Sequence, residues 1–460
     1  MSSFSLETID KLLADIGLNN YHYHYESVFN NFCQHIKGTQ LKIKGLHTEK
    51  YFDCFDSRLN QANCYQSDVE NGFVVDFGGT NTRIVHFDII KGNFICKSVD
   101  KFLNDKLINH TESKDIALIE QCFDQVITKI LSLVSNKSDQ VKAVSIIWSN
   151  AATSHKLSNG ISGVTNKVLG IGNGKDYLKN EWFIKNLKNG DDLGLIFLDR
   201  CKLRNINLQK LIMGNDTVFV GLASVGASAA GVISTGANMA TVFNVTCANS
   251  NVDRWFNLEC GTNFHVDNNV VSSLEVDQVD LSIQSLIAGG WIVDRYINIL
   301  SQLLPMIGCS EKISLSPDIS KAKLFNNLFE SSKLLEKNNF DYLILIEDKK
   351  VKSHLNTLFN IPTASPASCY LAVKLSNAFA LRIIALSSAM IAGSVVNYSE
   401  SAPQKVLMDS RVLEGLDPEL NVLKKNLSAL GRSKLKVELI KEDSNGIGAG
   451  ILGAANSLAI

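Results

Sequence analysis

The chain has 460 residues, of which 45% are hydrophobic and 20% charged, with a formal net charge of −1. That length exceeds one compact core and asks for two or three domains of about 150 residues. The near-neutral charge supplies no basic footprint, which excludes nucleic acid and anionic membrane surfaces as partners.

The first stretch, "MSSFSLETIDKLLADIGL", has no basic region followed by a long apolar one, so it predicts an amphipathic helix capped at Ser5 rather than a secretion signal. "YHYHY" (Tyr21 to Tyr25) sets His22 and His24 two apart with no carboxylate or thiol at ligand spacing, which predicts surface or aromatic packing and no metal. The ten cysteines form no CxxC pair, and this predicts reduced thiols in a cytoplasmic protein.

Three strand-like runs follow, "GFVVDF", "TRIVHFDII" and "NFICKSVDKF". Between the first two, "VVDFGGTNTRIV" (Val74 to Val85) places Gly78 and Gly79 side by side. An adjacent glycine pair in β-rich flanks marks a tight turn or a close backbone approach. With Thr80, Asn81 and Arg83 beside it, the turn suits phosphate oxygens, although an ordinary hairpin satisfies the same pattern. "DIALIEQCFDQVITKILSLVSN" has apolar residues at helical spacing, among them Ile116, Ile119, Phe123 and Ile130, and "AVSIIWS" is the next strand. Three strands before the first helix of this region predict an antiparallel meander feeding a mixed sheet, not the alternation of a Rossmann fold.

From Ser149 to Gly174 the chain is rich in Ser, Thr, Asn, Gly and Lys and reads as a long binding loop or lid. "LGLIFLD" and "LQKLIMGND" are strand candidates with helical potential nearby. The second ends at Gly214, with Asn215, Asp216 and Thr217 standing where a helix begins. Asp216 there suits an N-cap, or a base facing a substrate hydroxyl. "AAGVISTGANMATVFNV" repeats the pattern of strand, glycine turn and strand. Two such hairpins predict two related lobes with a ligand cleft between them.

"FNLECGTN" puts Glu259 directly after an apolar pair, either solvated or gripping hydroxyls. "AFALRIIALSSAMIAGSVV" is long and apolar, but Arg382 interrupts it, which predicts a buried core helix and no membrane span. "GAGILG" (Gly448 to Gly453) satisfies GxGxxG without a following strand or acidic residue, so it predicts a helix start packed closely on a neighbour or on a nucleotide's adenosine part. No GxxxxGK[ST] occurs.

In this order the segments resemble the eukaryotic hexokinase family of the actin-like ATPase fold. "DFGGTNTR" is similar to its first phosphate motif, "GNDTV" to its N-D-T segment and "STGAN" to its second phosphate motif. "NLECG" is similar to N-x-E-W-G and "EDSNGIGAG" to D-G-S-G-x-G-A-A, while Ser145 to Leu169 lies without gaps on the sugar-binding loop. The resemblance implies an α/β, two-lobed, ribonuclease H-like fold. Residues 72–213 would form a small lobe and 214–442 a large lobe, with 1–71 as helical part of the large lobe and 443–460 as a helix returning to the small one.

It further implies ATP-dependent phosphorylation of a hexose 6-hydroxyl by a monomer or homodimer. Asp216 would be the base. Ser149, Asn166, Lys167, Asn215, Asn238, Glu259 and Gln284 would bind the sugar. Gly78, Gly79, Thr80, Asn81, Arg83, Thr235 and Gly236 would cradle the phosphates of ATP, and Asp76 would orient Mg2+ through water. Asp409, Ser410, Gly446 and Gly448 would complete the nucleotide site. The chain departs from the family at Ala151, Asn166, Ser234, Cys260 and Gln284, and "LMDSRV" matches the adenosine segment poorly. The altered sugar shell leaves two alternatives: an N-acetylglucosamine kinase, or a sugar sensor with little turnover.

Overall fold

A computed structural model of the chain describes residues 6–18, 21–45, 52–56, 67–77, 81–103, 119–149, 152–157, 161–168, 187–188, 190–247, 250–276, 281–313, 323, 325–327, 329–330, 349–360, 365–401 and 403–459. Helices α1 (Leu6–Asp15) and α2 (Tyr21–Gly45) precede strand β1 (Phe52–Asp56). Ser5, Gly78, Gly79, Thr80, Ile116 and Ala151 lie outside the described residues, as do the side chains of His22 and His24.

The three β-rich runs become β2 (Val69–Phe77), β3 (Asn81–Ile90) and β4 (Asn93–Leu103), an antiparallel meander. After α3 (Ile119–Leu133), β5 (Ala143–Trp148) lies parallel to β2. The polar stretch after it is partly sheet: β6 (Ala152–Lys156) and β7 (Ser162–Val168) pair antiparallel. Gly163 lets β7 enter the sheet, because a Cβ there would strike the Leu211 backbone.

"LGLIFLD", a strand candidate in the sequence, is instead part of helix α4 (Leu193–Leu203). Asp192 caps it by accepting from Leu195 N (3.0 Å), and Phe197 packs edge-on against Phe123 of α3. Its apolar residues are shared between the helix cap and a helix–helix contact, so composition alone did not separate helix from strand. β8 (Lys210–Gly214) completes a seven-stranded mixed sheet in the order β4-β3-β2-β5-β8-β7-β6.

Helix α5 (Asp216–Leu222) leads to β9 (Ala227–Ile233), β10 (Ala237–Cys247) and β11 (Ser250–Asn257). Then come α6 (Cys260–Asn263), α7 (Ile283–Ile287), α8 (Gly289–Met306), α9 (Lys349–Phe359) and α10 (Pro366–Ser394). The last segments are β12 (Gln404–Asp409), α11 (Arg411–Leu416), α12 (Asn421–Ala429), β13 (Leu435–Leu439) and α13 (Ala449–Ala459). The second sheet runs β1-β11-β10-β9-β12-β13, with only β9, β12 and β13 parallel.

α10 is the one helix, among the described residues, long and apolar enough to cross a membrane, and 89% of its most apolar window is buried. It is a core helix. Arg382 within it is neutralised by Glu275, which accepts at 2.6 and 3.0 Å, and Arg295 bonds the same carboxylate. These cations hold the Glu275 carboxyl down at about 2, against the upward pull of burial.

One apolar cluster joins the two sheets. Val74, Val85, Ile147 and Ile212 of the first and Ala230, Ala240, Trp255 and Leu407 of the second all pack on α5 and α13. Two glycines permit it. A Cβ at Gly453 would coincide with the Phe219 carbonyl of α5, and one at Gly221 would strike the Trp255 ring. The last glycine of "GAGILG", Gly453, thus serves helix–helix contact. Asn456 of α13 donates to the carbonyl of Leu222 (3.0 Å), while Lys210 Nζ and Ser67 N hold the last carbonyls of α13. Gly453→Val is therefore expected to destabilise the protein by about 3 kcal/mol or more, read from denaturant midpoints, because neither backbone can yield. A variant with parental midpoints would contradict this packing.

Candidate active site

The first turn of α5 holds the central acid. Asn215 is the N-cap: its Oδ1 accepts from Thr217 N (3.0 Å) and also from Thr217 Oγ1. Asp216 is therefore not the cap; it is the first helical residue. Its Oδ1 accepts from the same Thr217 N–H at 2.7 Å, and Ser149, whose hydroxyl donates to the Phe77 carbonyl (3.4 Å), lies close enough to favour its ionised form. Asp216 is half-buried as a residue. Burial pushes its carboxyl up to about 7, helped by the negative charges of Glu259 and Asp76 and opposed by the Thr217 hydrogen bond and by Ser149.

Because Asn215 Oδ1 is committed to two donors, its amide orientation is fixed, and Nδ2 is buried with no partner among the described residues. An unpaired buried donor beside an acid poised near neutrality asks for an oxygen-bearing ligand.

The second sheet supplies the next layer. Asn238 of β10 donates through Nδ2 to Asn257 Oδ1 (2.7 Å) and Thr217 Oγ1 (3.4 Å), and its Oδ1 accepts from Met239 N (2.8 Å). The Asn238 amide is thus spent within the protein. Asn257 Nδ2 donates to Glu259 Oε1 (2.8 Å), and Glu259 sits in left-handed backbone (φ 45°) at the start of α6. Gln284 of α7 accepts through Oε1 from Ala237 N (3.3 Å), with that oxygen over Gly236 and Gly261. A backbone N–H only donates, so the outward atom of Gln284 is its Nε2.

The two glycine hairpins are held differently. At the β9–β10 turn, Thr235 is exposed, and the carbonyls of Ser234 and Thr235 accept from Gly289 N (2.7 Å) and Gly290 N (3.2 Å) at the start of α8. At the β2–β3 turn, Asp76 and Arg83 are cross-strand neighbours. Arg83 Nε and Nη2 bond Asp76 Oδ2 (2.9 and 2.7 Å), while Nη1 bonds Glu442 and the Gly446 carbonyl (2.7 Å). Arg411 holds the other oxygen of Glu442. Burial raises the Asp76 carboxyl despite Arg83. Burial and the Glu442 charge push Asp409 up to about 6.

Gly446 (φ 80°) makes the turn that aims its carbonyl at Arg83, and a Cβ at Gly448 would press on Asp409 Oδ2 (3.0 Å). The Ser410 hydroxyl is committed to capping α11 and to the Ile233 carbonyl (2.8 Å). Asn81 begins β3.

On β7, Asn166 is buried and accepts from Ser154 Oγ (3.0 Å). Strand alternation puts Asn166 on the face of Val164, toward α5 and α13, and Lys167 on the face of Thr165, whose hydroxyl bonds Asp192 and Gly194 N at α4. The strand therefore does not bring Asn166 and Lys167 to one side. Asn257 is the residue that sequence reasoning passed over. Its signal was a polar residue between Trp255, Phe256 and Leu258 in an otherwise apolar strand end.

No protein-family model matches the chain, and no curated protein matches it. Two solved structures cover nearly all of it. A hexokinase from Schistosoma mansoni complexed with glucose is 12% identical over 99% of this chain and 100% of that one, with a TM-score of 0.67. Another hexokinase crystal structure is 15% identical over 98% and 100%, with a TM-score of 0.66. The chain has the two-lobed, mixed α/β, actin-like fold of these hexokinase structures.

A carboxyl raised in the folded state takes up protons between its unfolded value and about 7, so its ionisation costs stability as pH rises through that window. Asp216→Asn should therefore be more stable than the parent at pH 8. The gain stays below the full ~1.4 kcal/mol per unit because the group is partly open to solvent. Denaturant midpoints should converge as pH falls to about 4, where both side chains are neutral. An equal or lower midpoint for the variant at pH 8 would contradict the raised carboxyl.

Proposed function

We propose that the chain transfers the terminal phosphoryl group of ATP to the 6-hydroxyl of a hexose. The observation that carries this reading is the pairing of Asp216, poised near neutrality at the start of α5, with the unpartnered Nδ2 of Asn215, inside a cleft flanked by two glycine hairpins. Sugar phosphorylation needs a carboxylate to accept the hydroxyl proton, donors to hold the sugar, and a cradle for phosphates.

In this reading Asp216 accepts the proton of the 6-hydroxyl, Thr217 N keeps its carboxylate aimed, and Ser149 lines the sugar site beside it. Asn215 Nδ2 donates to a sugar oxygen. Asn166, Glu259 and Gln284 complete the sugar shell, and Asn238 acts by holding Asn257. The β2–β3 turn, which includes Gly78, Gly79 and Thr80, and the β9–β10 turn of Thr235 and Gly236 grip phosphates from opposite lobes. Residues 72–213 move against 214–442 to expel water, so that the phosphoryl group passes to sugar and not to solvent.

The residues also fit a divalent cation. Among the described residues, the carboxylates Asp76, Glu442 and Asp409 gather around Arg83, with Arg411 and Lys101 nearby, so a triphosphate there needs further positive charge. Asp76 and Asp409 would hold the ion, and bound there Mg2+ supplies the charge neutralisation that phosphoryl transfer needs.

A second reading is supported by Gln284. With Oε1 committed to Ala237 N, the side chain offers a donor outward, which suits a sugar bearing a carbonyl acceptor, as an N-acetylhexosamine does.

ADP release should be stimulated by hexoses or by N-acetylhexosamines in a coupled assay, with kcat/KM falling below about pH 7 as Asp216 protonates. Asp216→Asn should lose a factor of about 10² or more in turnover while staying folded. No stimulated release with any sugar of either class would leave only a sensing role and refute the transferase. Gln284→Glu should shift preference toward unsubstituted glucose by roughly 5–30-fold if the second reading holds, since a carboxylate cannot donate.

A further inference from the structure

We propose that Asn257 is a positioning residue for the sugar site: it sets the Glu259 carboxylate and couples it to the start of α5, while touching no reacting atom itself. The proposal rests on the reading of the cleft as a sugar site.

Asn257 ends β11, paired with Ala240 of β10, and is 1% exposed. Both polar atoms of its amide are engaged. Nδ2 donates to Glu259 Oε1 at 2.8 Å, and Oδ1 accepts from Asn238 Nδ2 at 2.7 Å and Glu259 N at 3.2 Å, while Asn238 Nδ2 also donates to Thr217 Oγ1 at 3.4 Å. It therefore gathers a strand of the second sheet, the residue opening α6, and the helix turn that carries Asp216.

Only a side chain that both donates and accepts can do this. The two bonds to Glu259, one at its carboxylate and one at its own N–H, also hold that residue in left-handed backbone (φ 45°), a conformation a non-glycine residue leaves when its supports are removed. Aspartate at this position has the same shape but would face the Glu259 carboxylate without a donor. Its charge would join Glu259 and Asp76, the acids that already act on Asp216, with no cation from α5 or α13 to offset it.

The test is Asn257→Asp in the full chain. An added anion disfavours ionisation of Asp216, so the Asp216 titration, followed by 13C NMR of labelled aspartate, should move up by about one pH unit. In turnover assays the acid limb should move by the same amount, and the KM for sugar should rise at least tenfold with the ATP KM unchanged. A merely structural residue would lower yield or stability and leave the titration where it was.

If the single variant does not fold, Asn257→Asp combined with Glu259→Gln restores a donor facing an acceptor. That pair should recover the parental melting temperature and keep the weakened sugar binding. An unmoved titration in the folded single variant, or a double variant no better folded than the single one, would overturn the proposal. Because the titration needs no substrate, it stands even if no sugar is phosphorylated, which separates failure of this proposal from failure of the assigned reaction.

Discussion

Two helices can approach no closer than the side chains between them, and at one point between α5 and α13 there is no side chain. Gly453 lets the α13 backbone meet the Phe219 carbonyl, and Gly221 lets the opposite side of α5 lie on the Trp255 ring. α5 is pinned between a helix seated on the first sheet and an indole seated on the second. Its N-terminal turn, with Asn215 and Asp216, is thereby fixed relative to β2 and β5 on one side and to β10 and β11 on the other. The placement of the acid follows from packing, not from bonds that the acid makes itself.

That fixed position is costly. An acid held near neutrality by enclosure, a buried amide with no partner and a glutamate in left-handed backbone each lower stability where they stand. Around them the polar groups are well satisfied. Asn257, Asn238 and Thr217 share their donors and acceptors within hydrogen-bond reach, and the deep Glu275–Arg382–Arg295 cluster is charge-assisted. Asn215 Nδ2 is the unsatisfied group that stands beside the acid, where a ligand oxygen would satisfy it.

The hairpins were legible in the sequence because glycine, threonine and asparagine between β-branched runs leave few alternatives. Core helix α10 was legible because length and apolarity agree. "LGLIFLD" was not, since a short apolar run suits strand and helix alike and the decision came from Asp192 at the cap and Phe123 across the interface. The polar stretch after Trp148 reads as loop by composition, yet half of it pairs as β6 and β7. Backbone hydrogen bonding to β8, available only in the folded sheet, overrode its weak strand propensity. In the site, Asp216 stood out by its place at a strand end. Asn257 did not, because its segment drew notice for Glu259 and its bond to Asn238, on the neighbouring strand, exists only in the folded sheet.

The two glycine hairpins look alike in sequence and are secured by different physics. Behind the β9–β10 turn, the carbonyls of Ser234 and Thr235 are tied to the N–H groups of Gly289 and Gly290, neutral bonds that salt does not screen. The β2–β3 turn is flanked by ion pairs, with Arg83 shared among Asp76, Glu442 and the Gly446 carbonyl. A carboxylate and a phosphate compete for a guanidinium on equal geometric terms, since each offers paired oxygens. Ion pairs weaken as salt rises and neutral backbone bonds do not, so the two hairpins, alike in sequence, rest on interactions of different salt sensitivity.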